Sequence, residues 1–250
     1  MTNLGCQQRL ALFLTGDRLC AYLPKRDERV LFIDPRAPMS GPLYESLLLK
    51  GFRRAGRFVY RPACGTCQSC VPVRLEVNQI VLNRSQRRNY NQNGDLILSD
   101  HPAGFVPEHF TLYAAYIRHR HPGGGMADQL SPESYQDYLI QPWGGETRLL
   151  EFRLGERLIA LAITDRVPNA LSAVYTVFDP AYASRAPGAF AILSQIALAR
   201  RLGLQYLYLG YWIQDCRKMA YKDRYRPIQA LLGERWQTFE HGQPITEATW

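Results

Sequence analysis

The sequence lacks a continuous apolar run of about 18 residues, the length that a helix needs to cross a bilayer. Its first residues, MTNLGCQQRLALFL, contain neither a charged leading segment nor a long apolar core, so no secretory signal is expected. There is no internal repeat, no low-complexity tract and no signature of a serine or cysteine catalytic triad. These absences predict a cytoplasmic protein that has no membrane contact.

The composition indicates a globular chain with an anionic partner. Of its 250 residues, 46% are hydrophobic, which is ample for a packed core. The formal net charge of +8 favours a polyanionic partner such as nucleic acid. The six cysteines, in a chain expected inside the cell, indicate metal ligands or free thiols rather than disulfides.

The stretch from Pro187 to Pro227 is the most informative part of the sequence. Pro187 suits a first helical turn and Gly203 suits the residue after a helix, and the residues between them are apolar on more than one face. This pattern predicts a helix buried between layers. A strand over residues 204–209 follows, ended by Gly210, and its end opens into a polar, aromatic segment of the kind that binds ligands in α/β sheets.

The upstream pattern predicts an α+β fold in two parts. The proline- and glycine-rich segment Asp100 to Pro107 indicates a boundary, giving a smaller cysteine-containing N-terminal domain over residues 1–104 and a second domain over residues 105–250. The second domain reads as two helices, three antiparallel strands, a helix and a strand. The helices are expected at Pro107–His119 and Ser131–Ile140, and the three strands at Thr147–Leu154, Arg157–Asp165 and Ala170–Phe178.

Three cysteines, Cys64, Cys67 and Cys70, recur at every third position in a turn between two predicted strands. This spacing suits either a zinc knuckle or an iron–sulfur cluster, and Cys20 is the candidate fourth ligand. The alternative is a loop of free thiols. Cys6 and Cys216 are interpreted as unpaired, small apolar side chains.

A basic segment follows at Asn83 to Gln92, where Arg84, Arg87 and Arg88 fall within five residues. Arg84 and Arg88 are four residues apart and share one face of a helix. Such a face suits phosphate contact, and it equally suits a solvated charged surface.

The element order of the second domain resembles the N-acetyltransferase (GNAT) superfamily. In that fold the central helix begins at a loop that binds pyrophosphate through backbone N–H groups. In the run from Tyr182 to Gly188, two residues separate Arg185 from Gly188. This spacing resembles the start of that loop. Phe190 stands where the superfamily has a small residue, which argues against acetyl-CoA.

Four ordered motifs give a closer resemblance. GFRRAGRFVYRPACGTCQSCVPVRLEV, NRSQRRN, RHPGGGM and YLYLGYWIQDCRKMAYKDRYRP together resemble the aminoacyl-tRNA–protein transferases of the N-degron pathway, over nearly the whole chain. The short length resembles the bacterial branch, whose members transfer leucine from leucyl-tRNA to an N-terminal Asp or Glu. The longer eukaryotic branch transfers arginine. The transferred residue is therefore expected to be leucine, with arginine as the alternative. Gln229 departs from the family pattern, which has an acidic residue there.

The resemblance implies aminolysis of an activated ester, for which no cofactor is required. Tyr208, Tyr211 and Asp215 are the candidates to orient the amine or relay its proton. Arg53 and Arg54 are the candidates to bind the acceptor's carboxylate, because a guanidinium matches it in two places. Tyr206, Tyr208 and Trp212 are expected to line the aminoacyl pocket. Candidates for contact with the tRNA end and its phosphates are Arg84, Arg87, Arg88, Ser184, Arg185, Gly188, Lys218, Lys222 and Arg224.

Two other functions fit parts of the pattern. One is an acetyl-CoA-dependent N-acetyltransferase that carries a metal-binding extension. The other is a non-catalytic RNA-binding module built on a zinc knuckle. The transferase interpretation leads because its motifs lie in both halves of the chain.

Overall fold

The computed structural model describes residues 9–120 and 128–246. The helices in these ranges are α1 Gly41–Leu49, α2 Arg84–Gln92, α3 Pro107–Arg120, α4 Pro132–Tyr135, α5 Pro187–Arg201 and α6 Arg217–Ala220. Shorter helical turns are Val77–Gln79, Gln136–Ile140, Pro180–Arg185 and Tyr221–Arg224. The strands are β1 Leu12–Leu14, β2 Arg18–Leu19, β3 Asp27–Glu28, β4 Val30–Ile33, β5 Arg53–Ala55, β6 Phe58–Pro62, β7 Val71–Glu76, β8 Ile97–Pro102, β9 Glu146–Leu154, β10 Arg157–Val167, β11 Ala170–Phe178, β12 Tyr206–Trp212, β13 Ile228–Leu232 and β14 Arg235–Phe239.

An eight-stranded sheet forms the centre of the molecule, in the order β14-β13-β7-β12-β11-β10-β9-β8. Its neighbouring strands are antiparallel, apart from the parallel pair β11 and β12. Strands β9 to β11 form a meander, α5 crosses over, and β12 returns parallel to β11. This order confirms the prediction of an α+β fold and the predicted sequence of three antiparallel strands, a helix and a strand in the second domain.

The N-terminal part of the chain contributes to that same sheet. β7 pairs with β12 and with β13, and β8 pairs with β9. A separate four-stranded sheet, in the order β1-β4-β6-β5, is built from residues upstream of β7. The proposed boundary at residue 104 falls between β8 and α3, so strands from both sides of it lie in one sheet.

Helix α5 covers one face of the central sheet. It begins at Pro187 and Gly203 follows its end with φ +68°, as the sequence predicts. Phe190, Ile196 and eight other residues of the helix are buried, in a core that also contains Leu207 of β12. Helices α3 and α4 cover β9 to β11 on the opposite face. No helix in the described ranges is long and apolar enough to span a membrane.

A third apolar cluster joins α1 and the four-stranded sheet to the central sheet. Tyr44 of α1 is fully buried and lies edge-on to Trp143, with ring centroids 4.9 Å apart. The cluster also includes Val59 of β6 and Tyr208 of β12. The N-terminal elements therefore pack against β12, the strand that leads to the candidate site.

A buried polar network connects β5 to β10 beside this cluster. Arg54 donates to both carboxylate oxygens of Asp165, at 2.7 and 2.6 Å, and both side chains are 0% exposed. Arg54 also donates to Gly56 O at 2.8 Å, and Thr147 donates to Asp165 at 2.6 Å. Trp143 Nε1 completes the network by donating to Thr147 at 2.8 Å. The two sheets are thereby held together by a fully satisfied ion pair.

Asp165→Asn should lower the free energy of unfolding by about 3–5 kcal/mol, because it leaves the Arg54 charge buried without its partner. The measurement is urea unfolding followed by tryptophan fluorescence. Asp34→Asn is the control, since Asp34 pairs with an Arg36 side chain that is 82% exposed, and an exposed pair contributes only about 0–1 kcal/mol. Equal losses in the two variants would show that the Arg54 network does not stabilise the fold.

Candidate active site

The pairing of β11 with β12 ends early. It covers three residue pairs, the last of which joins Ser172 to Tyr208. β11 then contains an extra residue, Val174, because Ala173 and Tyr175 pair with consecutive residues of β10. Beyond this bulge no residue pair joins the two strands. We call the gap between residues 173–178 of β11 and 209–212 of β12 the strand split.

The Arg53 side chain from β5 enters the strand split. Its Nη2 donates to Ala173 O at 2.7 Å and to Val174 O at 3.2 Å. On the β12 side, Gly210 has φ +80°, and a Cβ added there would lie 1.9 Å from Arg53 Nη1. Gly210 is therefore required both by its backbone conformation and by the close approach of Arg53.

Arg53 has no ion-pair partner within 4.0 Å among the residues that the structure describes. Its polar surroundings are two main-chain carbonyls and the side chains of Tyr22, Tyr44, Tyr60 and Tyr211. Arginine stays protonated in proteins, and an unpaired cation away from water is costly. The split therefore presents a permanent positive charge that a carboxylate can neutralise with good geometry.

Arg54, the other predicted acceptor ligand, is not brought to the split. Alternate residues of a strand point to opposite faces, so Arg53 and Arg54 diverge. The Arg54 guanidinium is enclosed by Asp165, Thr147 and Gly56 and its side chain is 0% exposed. The structure gives Arg54 a stabilising role and leaves Arg53 as the candidate for substrate binding.

Lys222, predicted to contact phosphate, is buried instead. Its residue is 4% exposed, and Nζ donates to Tyr211 O at 2.5 Å and to Met219 Sδ at 3.3 Å. Burial, followed by the positive charge of Arg53, lowers the pKa of Lys222 to about 7. A group of this kind is better suited to proton transfer than to binding an RNA backbone.

The two tyrosines proposed as catalytic groups are held by hydrogen bonds within the protein. Tyr211 donates its hydroxyl to Gly51 O at 2.9 Å and is 3% exposed. The Tyr208 hydroxyl accepts from Arg74 Nη1 at 3.0 Å. Burial is the first cause that raises the pKa of both hydroxyls above the usual value. Asp215, the third candidate, lies exposed in the turn after β12.

The structure does not assemble the predicted aminoacyl pocket. Tyr206 and Tyr208 lie on the α1 side of the sheet, where the Arg74 guanidinium is 3.7 Å from the Tyr206 ring centroid and 4.3 Å from that of Trp236. Trp212 belongs to the core on the α5 side. The register shifts between Tyr208 and residue 210, so the alternation of faces is reversed after the bulge.

Three predicted tRNA ligands lie together on α2. The helix is capped by Asn83, and Arg84, Arg87 and Arg88 are all exposed. α2 is joined to its neighbours by Gln86, whose side chain donates to Arg224 O at 3.1 Å. Arg224 is exposed in the adjoining turn, so four of the predicted cations share one region of the surface.

The loop before α5 is braced from within. Arg185 pairs with Asp95 and donates to Gln92 O at 2.6 Å. The N–H groups of Ala189 and Phe190 both point to Ala186 O, at 3.0 and 3.2 Å. Arg185 and the first turn of α5 are therefore largely satisfied by the protein itself, which disfavours a pyrophosphate loop.

Of the remaining predicted contacts near this loop, Ser184 is exposed in the turn that precedes α5. Gly188 is partly buried at the start of that helix, and Lys218 is exposed on α6. In the RHPGGGM motif only Arg120 is described, as the last residue of α3, and residues 121–126 lie outside the described ranges.

The cysteine-rich turn folds back against the end of β12. Cys20, Cys67 and Cys70 pack on a small cluster that includes Ile213 and the buried Cys216. As predicted, Cys20 lies near Cys67 and Cys70. The turn reaches the same end of β12 as Lys222.

The sulfur atoms of these cysteines lie in different environments. Cys20 Sγ accepts from the backbone N–H of Leu23 at 3.4 Å, and Cys67 Sγ accepts from Arg26 Nη1 at 3.3 Å. Burial, with neighbouring cysteines acting in the same direction, raises the pKa of Cys70 to about 12. In residues 9–120 and 128–246 no three cysteine, histidine, aspartate or glutamate side chains are arranged to hold a metal ion. The metal prediction is therefore not confirmed.

Two structural features around β12 were not predicted from the sequence. Gly210 was predicted to end the strand, but β12 continues through it to Trp212 with Gly210 as a bulge. A glycine inside an apolar strand pattern is itself a signal of a bulge or a close approach. Arg74 was not singled out, and no local pattern marks it, because its aromatic and amide partners come from distant strands. One of these is Gln229, whose Oε1 accepts from Arg74 Nε at 2.8 Å.

Two family models match the chain. "Arginine-tRNA-protein transferase, N terminus" covers residues 18–88, and "Arginine-tRNA-protein transferase, C terminus" covers residues 108–232. The second match alone covers half of the chain, and the two lie on either side of the proposed boundary. The chain therefore belongs to this family of aminoacyl-tRNA–protein transferases.

The names of curated relatives within this family specify the transferred residue and the acceptor residues. A protein of Saccharophagus degradans is 43% identical over 96% of this chain and 100% of its own length, and one of Thiobacillus denitrificans is 46% identical over 93% and 96%. Both are named aspartate/glutamate leucyltransferase. A protein of Pseudomonas fluorescens with the same name is 45% identical over 94% and 98%.

Solved structures show a more distant likeness. The C-terminal domain of a putative lysylphosphatidylglycerol synthetase from Agrobacterium fabrum is 13% identical, with a TM-score of 0.45, over 69% of this chain and 52% of that one. FemX is 9% identical, with a TM-score of 0.41, over 81% of this chain and 79% of that one.

Gly210→Ala should destabilise the protein more than Gly203→Ala. Both glycines have positive φ, which costs an alanine about 1–2 kcal/mol. Only residue 210 has a neighbour within 4 Å of the added Cβ, namely Arg53, so that variant should lose about 1–3 kcal/mol more through overpacking. Thermal unfolding measures the difference. If adding Arg53→Ala to Gly210→Ala does not recover the excess, the close contact with Arg53 is not its cause.

Proposed function

We propose that the protein transfers leucine from leucyl-tRNA to the α-amine of proteins that begin with Asp or Glu. Membership of the transferase family and the names of its relatives support this reaction. The observation that carries the proposal is the Arg53 guanidinium, held in the strand split with no carboxylate partner among the described residues. An acceptor whose side chain ends in a carboxylate supplies that partner.

The chemistry needs little beyond positioning. The acceptor α-amine has an ordinary pKa of about 7.7–8.0, so a useful fraction is neutral at pH 7. The ester of the aminoacyl-tRNA is already activated. Holding amine and ester in contact can supply up to about 7–11 kcal/mol, so the absence of a nucleophilic triad in the sequence is no obstacle.

The tRNA is expected on the α2 side of the molecule. Arg84, Arg87 and Arg88 on α2 and the neighbouring Arg224 form an exposed cationic surface. Phosphate contacts of this kind supply affinity without sequence information. We also propose a cytoplasmic location, because the aminoacyl-tRNA donor is a cytoplasmic molecule.

Among the alternatives, acetyl-CoA is disfavoured because the first-turn N–H groups of Ala189 and Phe190 are directed to Ala186 O. Arginine as the donor residue is distinguished from leucine by assay. A purely RNA-binding role leaves Arg53 without a ligand.

The proposal is tested with each labelled aminoacyl-tRNA and peptides that begin with Asp, Glu, Asn or Gln. We expect transfer of leucine to the Asp and Glu peptides alone. Arg53→Gln should reduce kcat/KM for the Asp peptide by about 30-fold or more, because truncating one side of a buried charge pair costs about 2–5 kcal/mol. It should also narrow the preference for Asp over Asn.

Arg57→Gln is the matched control, since Arg57 is exposed at the tip of the same hairpin. Its kcat/KM should stay within about twofold of the wild type, as expected for an exposed residue without such a role. An Arg53→Gln protein that folds and still prefers Asp over Asn would contradict the assigned role of Arg53. Absence of leucine transfer by the wild type would contradict the proposed reaction itself.

We further propose that Cys20, Cys64, Cys67 and Cys70 hold either zinc or an iron–sulfur cluster. Four thiolates are a chemically suitable donor set, and the three that pack near Ile213 already meet at one end of β12. The transfer step requires no cofactor. Such a group would stabilise the turn against the strand that leads to the site.

Protein purified without oxygen should therefore contain about one zinc ion or one cluster per chain, as measured by elemental analysis and absorption spectroscopy. Cys70→Ser should lose the metal, whereas Cys216→Ser should retain it because Cys216 is outside the proposed ligand set. Equal metal content in the two variants, or none in the wild type, would exclude these cysteines as ligands.

A further inference from the structure

Lys222 and Arg53 reach consecutive residues at the end of β12. Gly210 packs against the Arg53 guanidinium, and the next residue, Tyr211, accepts the hydrogen bond from Lys222 Nζ. The positive charge of Arg53 also acts on Lys222 and, after burial, is the second cause that lowers its pKa. A permanent cation and a buried amine therefore contact consecutive residues at one end of the same strand.

The hydrogen bonds of Lys222 suit a neutral amine. A neutral amine has two N–H donors and one lone pair, whereas an ammonium has three donors. Among residues 9–120 and 128–246, two acceptors lie at Nζ, namely Tyr211 O at 2.5 Å and Met219 Sδ at 3.3 Å. The third position is therefore left for a proton that Nζ can gain or lose. The neighbouring Tyr221 ring, with its centroid 5.4 Å from Nζ, offers no full negative charge.

The groups that face Lys222 act in opposite directions. Burial and then the positive charge of Arg53 oppose the charged form of Lys222, and Cys216 and Cys70 act in the opposite direction. No aspartate or glutamate is within ion-pair distance of Nζ among the described residues. The balance places the pKa of Lys222 near neutrality, which is the range in which a proton carrier is most effective.

The location of Arg53 at this end of β12 determines where the α-amine of a bound acceptor lies. In an N-terminal Asp, only the β- and α-carbons separate the carboxyl carbon from the α-amine nitrogen. A carboxylate on Arg53 therefore fixes that nitrogen within a few bond lengths of the guanidinium. The same end of β12 holds Lys222 Nζ.

On this geometry, and resting on the proposed function above, we propose that Lys222 is the catalytic proton carrier of the transfer reaction. As the acceptor nitrogen attacks, the C–N bond forms and the neutral Lys222 amine takes one proton from that nitrogen. It then gives this proton to the ribose oxygen as the ester C–O bond breaks. The products are an amide and a free hydroxyl, and Lys222 returns to its neutral form.

The first test observes the amine directly. The chain has four lysines, Lys25, Lys50, Lys218 and Lys222, so protein labelled at the lysine ε-carbon gives four signals in an NMR titration. The signal that disappears in Lys222→Met should titrate near pH 7 in the wild type. Titration of that signal near the ordinary lysine pKa of about 10.4 would overturn the proposal, whether or not the protein has transferase activity.

The second test uses the pH dependence of kcat/KM for an Asp peptide. In the wild type both the acceptor amine and Lys222 must be neutral, so log kcat/KM should rise with a slope of about two at low pH. Lys222→Met should lower kcat by roughly 10²–10⁴-fold and reduce the slope to about one. Lys222→Arg should lose as much, because arginine does not release its proton.

Lys50→Met is the control, because Lys50 is exposed at the end of α1 and should leave rate and slope unchanged. Binding of tRNA to all variants is measured separately. Rescue by Lys222→Arg, or loss of tRNA affinity with an unchanged slope, would assign Lys222 to phosphate binding or to structure and overturn the proposal. A wild type that transfers no leucine would contradict the proposed function, while the NMR titration still decides the state of Lys222.

Discussion

The insertion of Arg53 between β11 and β12 is the constraint on which the site depends. Parallel strands normally continue their hydrogen bonding, yet this pair stops after three residue pairs, and the guanidinium donates to the carbonyl groups of Ala173 and Val174 just beyond the last pair. Because the cation satisfies the backbone, it is fixed in place. Because it has no anion of its own among the described residues, it remains available for a ligand.

Much of the fold follows from local sequence signals. The helix from Pro187, the meander of three strands and the strand after Gly203 were all predictable from periodicity and from proline and glycine positions. Their endpoints were less so. β12 runs past Gly210 because a bulge lets the backbone continue. A glycine in the sequence is compatible both with the end of a strand and with a bulge inside it.

The site itself was only partly predictable, because its chemistry depends on which face each residue takes. Arg53 and Arg54 are identical in type and adjacent, yet one enters the split and the other meets Asp165 in the core. Similarly, Tyr208 and Trp212 were expected in one pocket, and the bulge between them places them on opposite faces. Such outcomes depend on contacts more than 100 residues apart in sequence, of which the Arg54–Asp165 pair, separated by 111 positions, is one.

The cations of this strongly basic chain fall into three groups according to their partners and their exposure. Arg185 and Arg54 are neutralised by Asp95 and Asp165, and they brace loops and sheets. Arg84 and Arg88 remain exposed on α2, where an RNA backbone can reach them. Lys222 is buried at the end of β12 and Arg53 is only partly exposed there, so their charges act more strongly than charges at the surface. Net charge therefore indicates the polyanion, and burial separates the exposed cations that we propose to bind it from those that we propose to act on the acceptor.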